Sequence, residues 1–169
     1  MPLDAIYTAV RDDILTEIRG LAEDELTERV FALSEIDHAP ELHLSTSWDG
    51  LHFLLSGTSA RGALPAGSAL SEGIVGAERL WGGGVNWVAA TSRQSLPTVL
   101  SALSAVEPSR LSQAFEPHLF RRAGIYPVSG WSDRAISDAL PLYLERLDSL
   151  IRFYSEVVAE GGNVIVEVG

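Results

Sequence analysis

"DRAISDALPLYLERLDSLIRFYSEVVAEGGNVIVEV", residues 133–168, decides the fold. Leu140, Leu144, Leu147, Ile151, Tyr154 and Val158 recur at alternating spacings of four and three, which is the period of one helical face. The spacing predicts one long helix from 133 to 160, a central core helix with that seam as its packing face. Pro141 lies inside the pattern and predicts a kink or a second start. Gly161 and Gly162 stop the helix. "NVIVEV", residues 163–168, has the length and β-branched content of a closing strand.

That strand needs a neighbour, and the other end of the chain supplies one. "LDAIYTAV", residues 3–10, reads as a short strand, with Ile6, Tyr7 and Val10 carrying the β propensity. Strands at the two chain ends pair naturally in one small sheet covered by helices. Helices are expected at 11–20, with Asp12 or Asp13 as cap, and at 23–36, where Leu26, Val30 and Leu33 share a face. Residues 37–47, broken by Pro40, read as loop. Residues 58–68 also read as loop. Residues 69–84 read as a short helix followed by irregular, Gly-rich chain, and 84–90 as a strand. Residues 95–106 read as a helix with Pro97 in its first turn. From 107 to 127 the pattern is helix, proline break and a further turn or two, with Tyr126-Pro127 closing it in extended form. The expected architecture is α+β: one helix-rich domain over residues 1–169, with a small sheet and a long C-terminal helix.

Composition narrows the chemistry. The chain has 169 residues, 46% of them hydrophobic, enough for a core without staples. It holds no cysteine, and all twelve of its basic residues are arginine. Without cysteine there is no thiolate nucleophile and no Cys-held zinc or iron–sulfur cluster. Without lysine there is no P-loop lysine and no Schiff base for pyridoxal phosphate. No cofactor is expected. The net charge of −11 opposes nucleic acid and anionic membrane surfaces, and favours a basic protein partner. No apolar run approaches the ~20 residues that span a bilayer. "MPLDAIYTAVRDD" lacks the basic n-region of a secretory signal, so the expected location is the cytoplasm.

"STSWDGLHFLLSG", residues 45–57, concentrates the polar chemistry. Trp48, Leu51, His52 and Leu55 fall on one helical face; Ser45, Thr46 and Ser47 can cap it, and Gly57 can end it. Asp49 and His52 are three residues apart, so a carboxylate can sit beside an imidazole. That is half of an acid–base system, and no nucleophile elbow accompanies it: "GTSARG" misses the G-x-S-x-G spacing and follows a helix. Without a nucleophile, the same stretch reads better as a core anchor, Trp48 with Leu51, and a buried, hydrogen-bonded His52. "EIDH", residues 35–38, has the Glu-x-x-His spacing of di-iron bundles but no second copy, so no metal is expected. "LWGGGVNW" lacks a phosphate-loop pattern; its glycines fit a turn before the strand carrying Trp87.

"SWDGLHFLLSG", "AGIYP" at 123–127, and the long helix ending in "FYSEVVAEGGNVIVEVG" together resemble the YfbM-like bacterial family. The resemblance covers nearly the whole chain and implies an α+β domain of bacterial origin. It brings no assigned activity. It implies a shared polar cluster of Trp48, Asp49, His52 and Tyr126, which are the candidate site residues. Charge and the missing nucleophile favour a non-enzymatic protein-binding module, for instance an inhibitor of a basic partner such as a toxin. The alternatives are a small enzyme with His52 as acid–base, Asp49 as its orienter and Tyr126 as donor, or a purely structural motif.

Overall fold

The computed structural model describes residues 2–169. In chain order its elements are β1 (Ala5–Val10), α1 (Asp12–Arg19), α2 (Glu23–Phe31), α3 (Leu33–Ile36), β2 (Glu41–Ser45), α4 (Trp48–Ser56) and α5 (Ala69–Val75). There follow β3 (Glu78–Gly83), β4 (Asn86–Thr91), α6 (Leu96–Ser104), α7 (Pro108–Ala114), α8 (Pro117–Arg122), a 3-10 turn at Val128–Gly130, α9 (Asp133–Ala159) and β5 (Asn163–Val168). The fold is α+β, with one five-stranded antiparallel sheet in the order β2-β1-β5-β4-β3.

The two chain ends meet as expected. Tyr7 pairs with Val166 and Ala5 with Val168, so β1 and β5 lie side by side inside the sheet. β5 also pairs with β4, and four of its first five side chains are apolar or amide groups buried between layers. One face of the sheet carries Tyr7, Trp87, Ala89, Val164 and Val166 against α4, α5, α6 and α9. The other carries Val10, Val88, Ala90 and Ile165 against α1 and α2. A third cluster, Phe120, Ile125, Val128, Ile136 and Tyr143, fastens α8 and the following turn to the first half of α9.

α9 runs unbroken through Pro141, whose exposed position replaces the expected second start. Ser132 caps it by accepting the Ala135 N–H at 3.2 Å. Its buried seam is rotated from the expected one: Tyr143, Leu147, Leu150, Tyr154 and Val157 face inward, while Leu140, Leu144, Ile151 and Val158 are half-buried flanks. The period is the same in both readings. The pairs Leu150-Ile151 and Val157-Val158 put apolar residues at adjacent positions, so period alone leaves the phase free.

Two strands lie where loop or irregular chain was expected. β2 occupies residues read as loop, with Leu42 and Leu44 turned to the core and Glu41, His43 and Ser45 outward. β3 forms a hairpin with β4 across the turn at Gly84 and Val85. β3 bulges between Arg79 and Trp81, and at Gly82, next to the turn, φ is +76° and any Cβ would meet the Asn86 carbonyl, so that position requires glycine. The expected helix over 23–36 divides at Ala32 into α2 and α3. Arg11, not Asp12 or Asp13, is the first residue outside α1, and makes no side-chain cap bond. The Tyr126-Pro127 bond is cis and lies in a turn instead of extended chain. No helix among the described residues is long and apolar enough to cross a membrane.

Candidate functional site

α4 is short, and nearly all of its first two turns is buried: Trp48, Asp49, Leu51 and His52 each have 0% exposure. Two constraints place it there. Gly57 ends the helix in the left-handed conformation, φ +77°, which suits glycine. Gly50 faces Tyr143 of α9 so closely that any Cβ would overlap the phenol ring. The glycine that weakens helix propensity therefore sets the spacing between α4 and α9.

Asp49 is the hub. Its Oδ1 accepts the Ala60 N–H at 2.7 Å and the Ser59 hydroxyl at 2.8 Å. Its Oδ2 accepts the Tyr126 N–H at 2.8 Å and lies 3.4 Å from the Arg61 Nε. Arg61 in turn donates to the Gly124 carbonyl at 2.5 Å and lies over the Tyr126 ring, 5.6 Å from its centroid. One carboxylate thus joins α4, the 58–62 loop and the 124–127 turn. The nearby Tyr143 hydroxyl has its pKa pushed up to about 12, first by burial and then by the Asp49 charge.

Trp48 and Tyr126 extend the cluster toward the sheet. Their rings stack with centroids 5.9 Å apart, and Trp48 meets Trp87 of β4 edge-on at 5.4 Å. The Trp48 indole donates to the Leu3 carbonyl at 3.2 Å, while the Tyr126 hydroxyl accepts the Leu3 N–H at 2.9 Å. The segment before β1 is therefore held by both aromatic residues.

His52, one turn along α4, bonds to a separate set of partners. Its Nδ1 donates to the Thr58 carbonyl at 2.7 Å, and its Nε2 is 2.7 Å from the Ser71 hydroxyl of α5. Asp49 is not its orienter, because both Asp49 oxygens are bonded to other donors; the Thr58 carbonyl has that place. Burial lowers the His52 pKa below its usual 6.5, outweighing the Thr58 bond and the Asp49 charge. The ring is thus neutral at pH 7, with the proton on Nδ1 and the Nε2 lone pair facing the Ser71 O–H. Ser71 is itself only 2% exposed.

All four expected residues therefore lie in one region, with Trp48, Asp49 and Tyr126 in direct contact and His52 one turn further along the same helix, bonded to other partners. Ser59, Arg61 and Ser71 complete it; Ser59 and Arg61 fall in the GTSARG stretch, which the sequence offers only as a failed nucleophile elbow, and Ser71 lies in no motif. Their signal was weak: they are ordinary polar residues in or beside a loop, 10 to 19 positions from their partners. Other sequence patterns resolve differently. Trp87, on the strand expected after the glycine-rich turn, is buried in the core. Among the described residues, no group of three or more His, Asp or Glu side chains is placed to hold a metal ion. Five surface clefts range from about 150 to 290 Å³, below the ~300 Å³ at which small-molecule sites begin.

Comparison with known proteins agrees with this architecture. A model of the family described as "Domain of unknown function (DUF1877)" matches residues 1–167. Protein YfbM of Escherichia coli (strain K12) is 25% identical over 128 residues, which is 75% of either chain. The crystal structure of YfbM from Escherichia coli, described there as a protein of unknown function, superposes with a TM-score of 0.79. It matches 98% of this chain and 99% of that one at 18% identity, a likeness of fold.

Proposed function

Since the chain belongs to the YfbM-like family of unknown function, DUF1877, its role must be read from its own surface, and we propose a non-enzymatic protein-binding module. Its occupant in this reading is a basic protein, such as a toxin that it inhibits. The observation that carries the proposal is the sealed polar cluster. Trp48, Asp49 and His52 have no exposure, and every polar side-chain atom they carry is bonded within the protein. A group so enclosed offers a substrate no approach, and acts instead as a clamp that fixes a framework. The excess of 23 acidic over 12 basic residues supports the sign of the partner. In this reading the chain works in the cytoplasm, as one domain over residues 1–169.

The test is recovery of tagged chain from its own host's lysate at physiological salt, with stoichiometry read on what co-purifies. A basic protein bound one-to-one, and retained when salt is raised, is the expected result. A complex that survives only at very low salt overturns it, because a specific interface keeps an apolar core.

The contact between Ser71 and His52 supports a second reading. A serine hydroxyl 2.7 Å from a neutral imidazole nitrogen, with the other nitrogen held by a carbonyl, is the arrangement of an activated nucleophile. A small hydrolase would need the 58–68 loop to open over this pair. A fluorophosphonate probe labels Ser71 in the native chain if it does, and leaves it unlabelled if the pair is structural.

A further inference from the structure

The helices on the second face of the sheet do not cover all of it. α1 and α2 lie over Val10, Ile165 and Ala90. Beyond them, on neighbouring strands, Ile6 of β1 and Glu167 of β5 are half-buried and His43 of β2 is exposed, with Ile6 paired directly to both His43 and Glu167. A groove of about 200 Å³ runs between this open corner and the α2–α3 junction. Its apolar lining is Ile6, Val30 and Phe31, and its charged lining is Glu35, Glu41, Glu167 and His43.

Three features of the groove are unusual for an inert surface. Phe31 at its rim is 71% exposed, and Ile36 on the adjoining α3 is 69% exposed. No arginine lines it; Arg29 of α2 is turned to Glu17 and Asp37 instead. Among the described residues Glu35 and Glu167 make no ion pair, and Glu41 pairs only with His43. Glu167 is the one ionisable side chain of the central strand β5, and burial pushes its carboxyl pKa up from the usual carboxylate range. A carboxylate held there without a cation is costly, and a guanidinium or ammonium arriving from outside would relieve that cost.

We propose that this groove is the docking site for a short basic segment of a partner protein, in which an Arg or Lys pairs with Glu167 while a neighbouring apolar side chain packs on Phe31 and Ile6. The inference rests on the binding-module reading and gives it a location. The requirement for an apolar neighbour separates a protein segment from a free polyamine, which would satisfy the carboxylates alone. The acidic lining repels the phosphates of nucleic acid and of anionic lipid.

The experiment titrates isotope-labelled full chain with three synthetic peptides: one alternating Arg and Leu, one alternating Arg and Ser, one alternating Glu and Leu. Amide signals are followed by NMR. The Arg–Leu peptide is expected to bind best and to move the signals of Ile6, Phe31 and Glu167. Phe31→Ala and Glu167→Gln each weaken it about tenfold, the effect of losing an interface anchor. Glu107→Gln, on the distant α7 side, leaves it unchanged. Phe31 is exposed and Glu167 half-buried, and retention of the native spectrum shows that the variants fold. Equal binding of the Arg–Ser peptide, or of spermidine, overturns the proposal by reducing it to charge attraction. Absence of binding, or shifts that avoid the groove, overturns it as well. If a host partner is captured as above and both groove substitutions leave capture unchanged, the groove is wrong and the binding-module reading stands. If nothing is captured and no peptide binds, both fail.

Discussion

The Asp49 carboxylate accepts the backbone N–H of Tyr126 at 2.8 Å, across 77 positions of sequence. The same side chain holds the Ala60 N–H and the Ser59 hydroxyl. Truncation in Asp49→Ala leaves these buried donors without partners, and is expected to destabilise the fold by about 3 kcal/mol. Arg61→Ala removes a partner that keeps 31% side-chain exposure, so its expected cost is about 1 kcal/mol or less. Urea unfolding of the two variants checks the order. Equal costs would mean that the ion pair, and not the backbone bonds, carries the clamp.

Gly50→Ala tests the closeness of α4 and α9. The new Cβ would sit within 3.0 Å of the Tyr143 ring, which is 2% exposed and has little room to retreat. The expected loss is about 1–3 kcal/mol from overpacking, despite the better helix propensity of alanine. Tyr143→Leu in the same chain should recover part of it. A double-mutant cycle on thermal unfolding reads the coupling, and strict additivity would show that the two residues do not collide.

Much of this framework was legible because it is periodic. The long α9 and the terminal strands β1 and β5 follow from spacing and β-branched content. What failed was context. β2 carries a clear alternation in Leu42 and Leu44, yet Pro40 before it and the Ser-Thr-Ser run after it resemble loop. β3 ends in Gly82 and Gly83 beside the hairpin turn, and strand propensity penalises glycine. The cluster was legible as a list of residues and illegible as a mechanism. Asp49 and His52 have the right spacing to meet, but which neighbours bond them depends on the path of the 58–62 loop and the 124–127 turn, and no local pattern encodes that.

The two histidines with shifted pKa values should titrate on opposite sides of 6.5. Hydrogen bonding to Glu41 raises the His43 pKa and outweighs the loss of hydration, with the Asp4 bond adding to the rise. Its contribution to stability is complete below pH 6.5 and is lost as pH rises through the raised value. Burial lowers that of His52, so its contribution is complete above pH 6.5 and is lost as pH falls from there through the lowered value. NMR titration of the imidazole signals checks both. A His52 signal that titrates above 6.5 would mean that water reaches the ring, and would move weight to the Ser71 nucleophile reading.

Glu167→Gln is expected to stabilise the free protein at neutral pH while weakening binding. A carboxyl whose folded pKa is raised contributes fully to stability below its unfolded value, near 4.5, and loses that contribution as pH rises through the folded value. At pH 7 the native chain therefore carries an ionised Glu167 at a cost that glutamine, of the same shape, does not incur. Thermal unfolding should show Tm raised by about 1–3 °C at pH 7, with the difference vanishing near pH 4. A variant that is less stable at pH 7 would show that Glu167 already has a favourable partner within the chain. Stability gained together with affinity lost would mark Glu167 as a residue that serves a partner at the expense of its own fold.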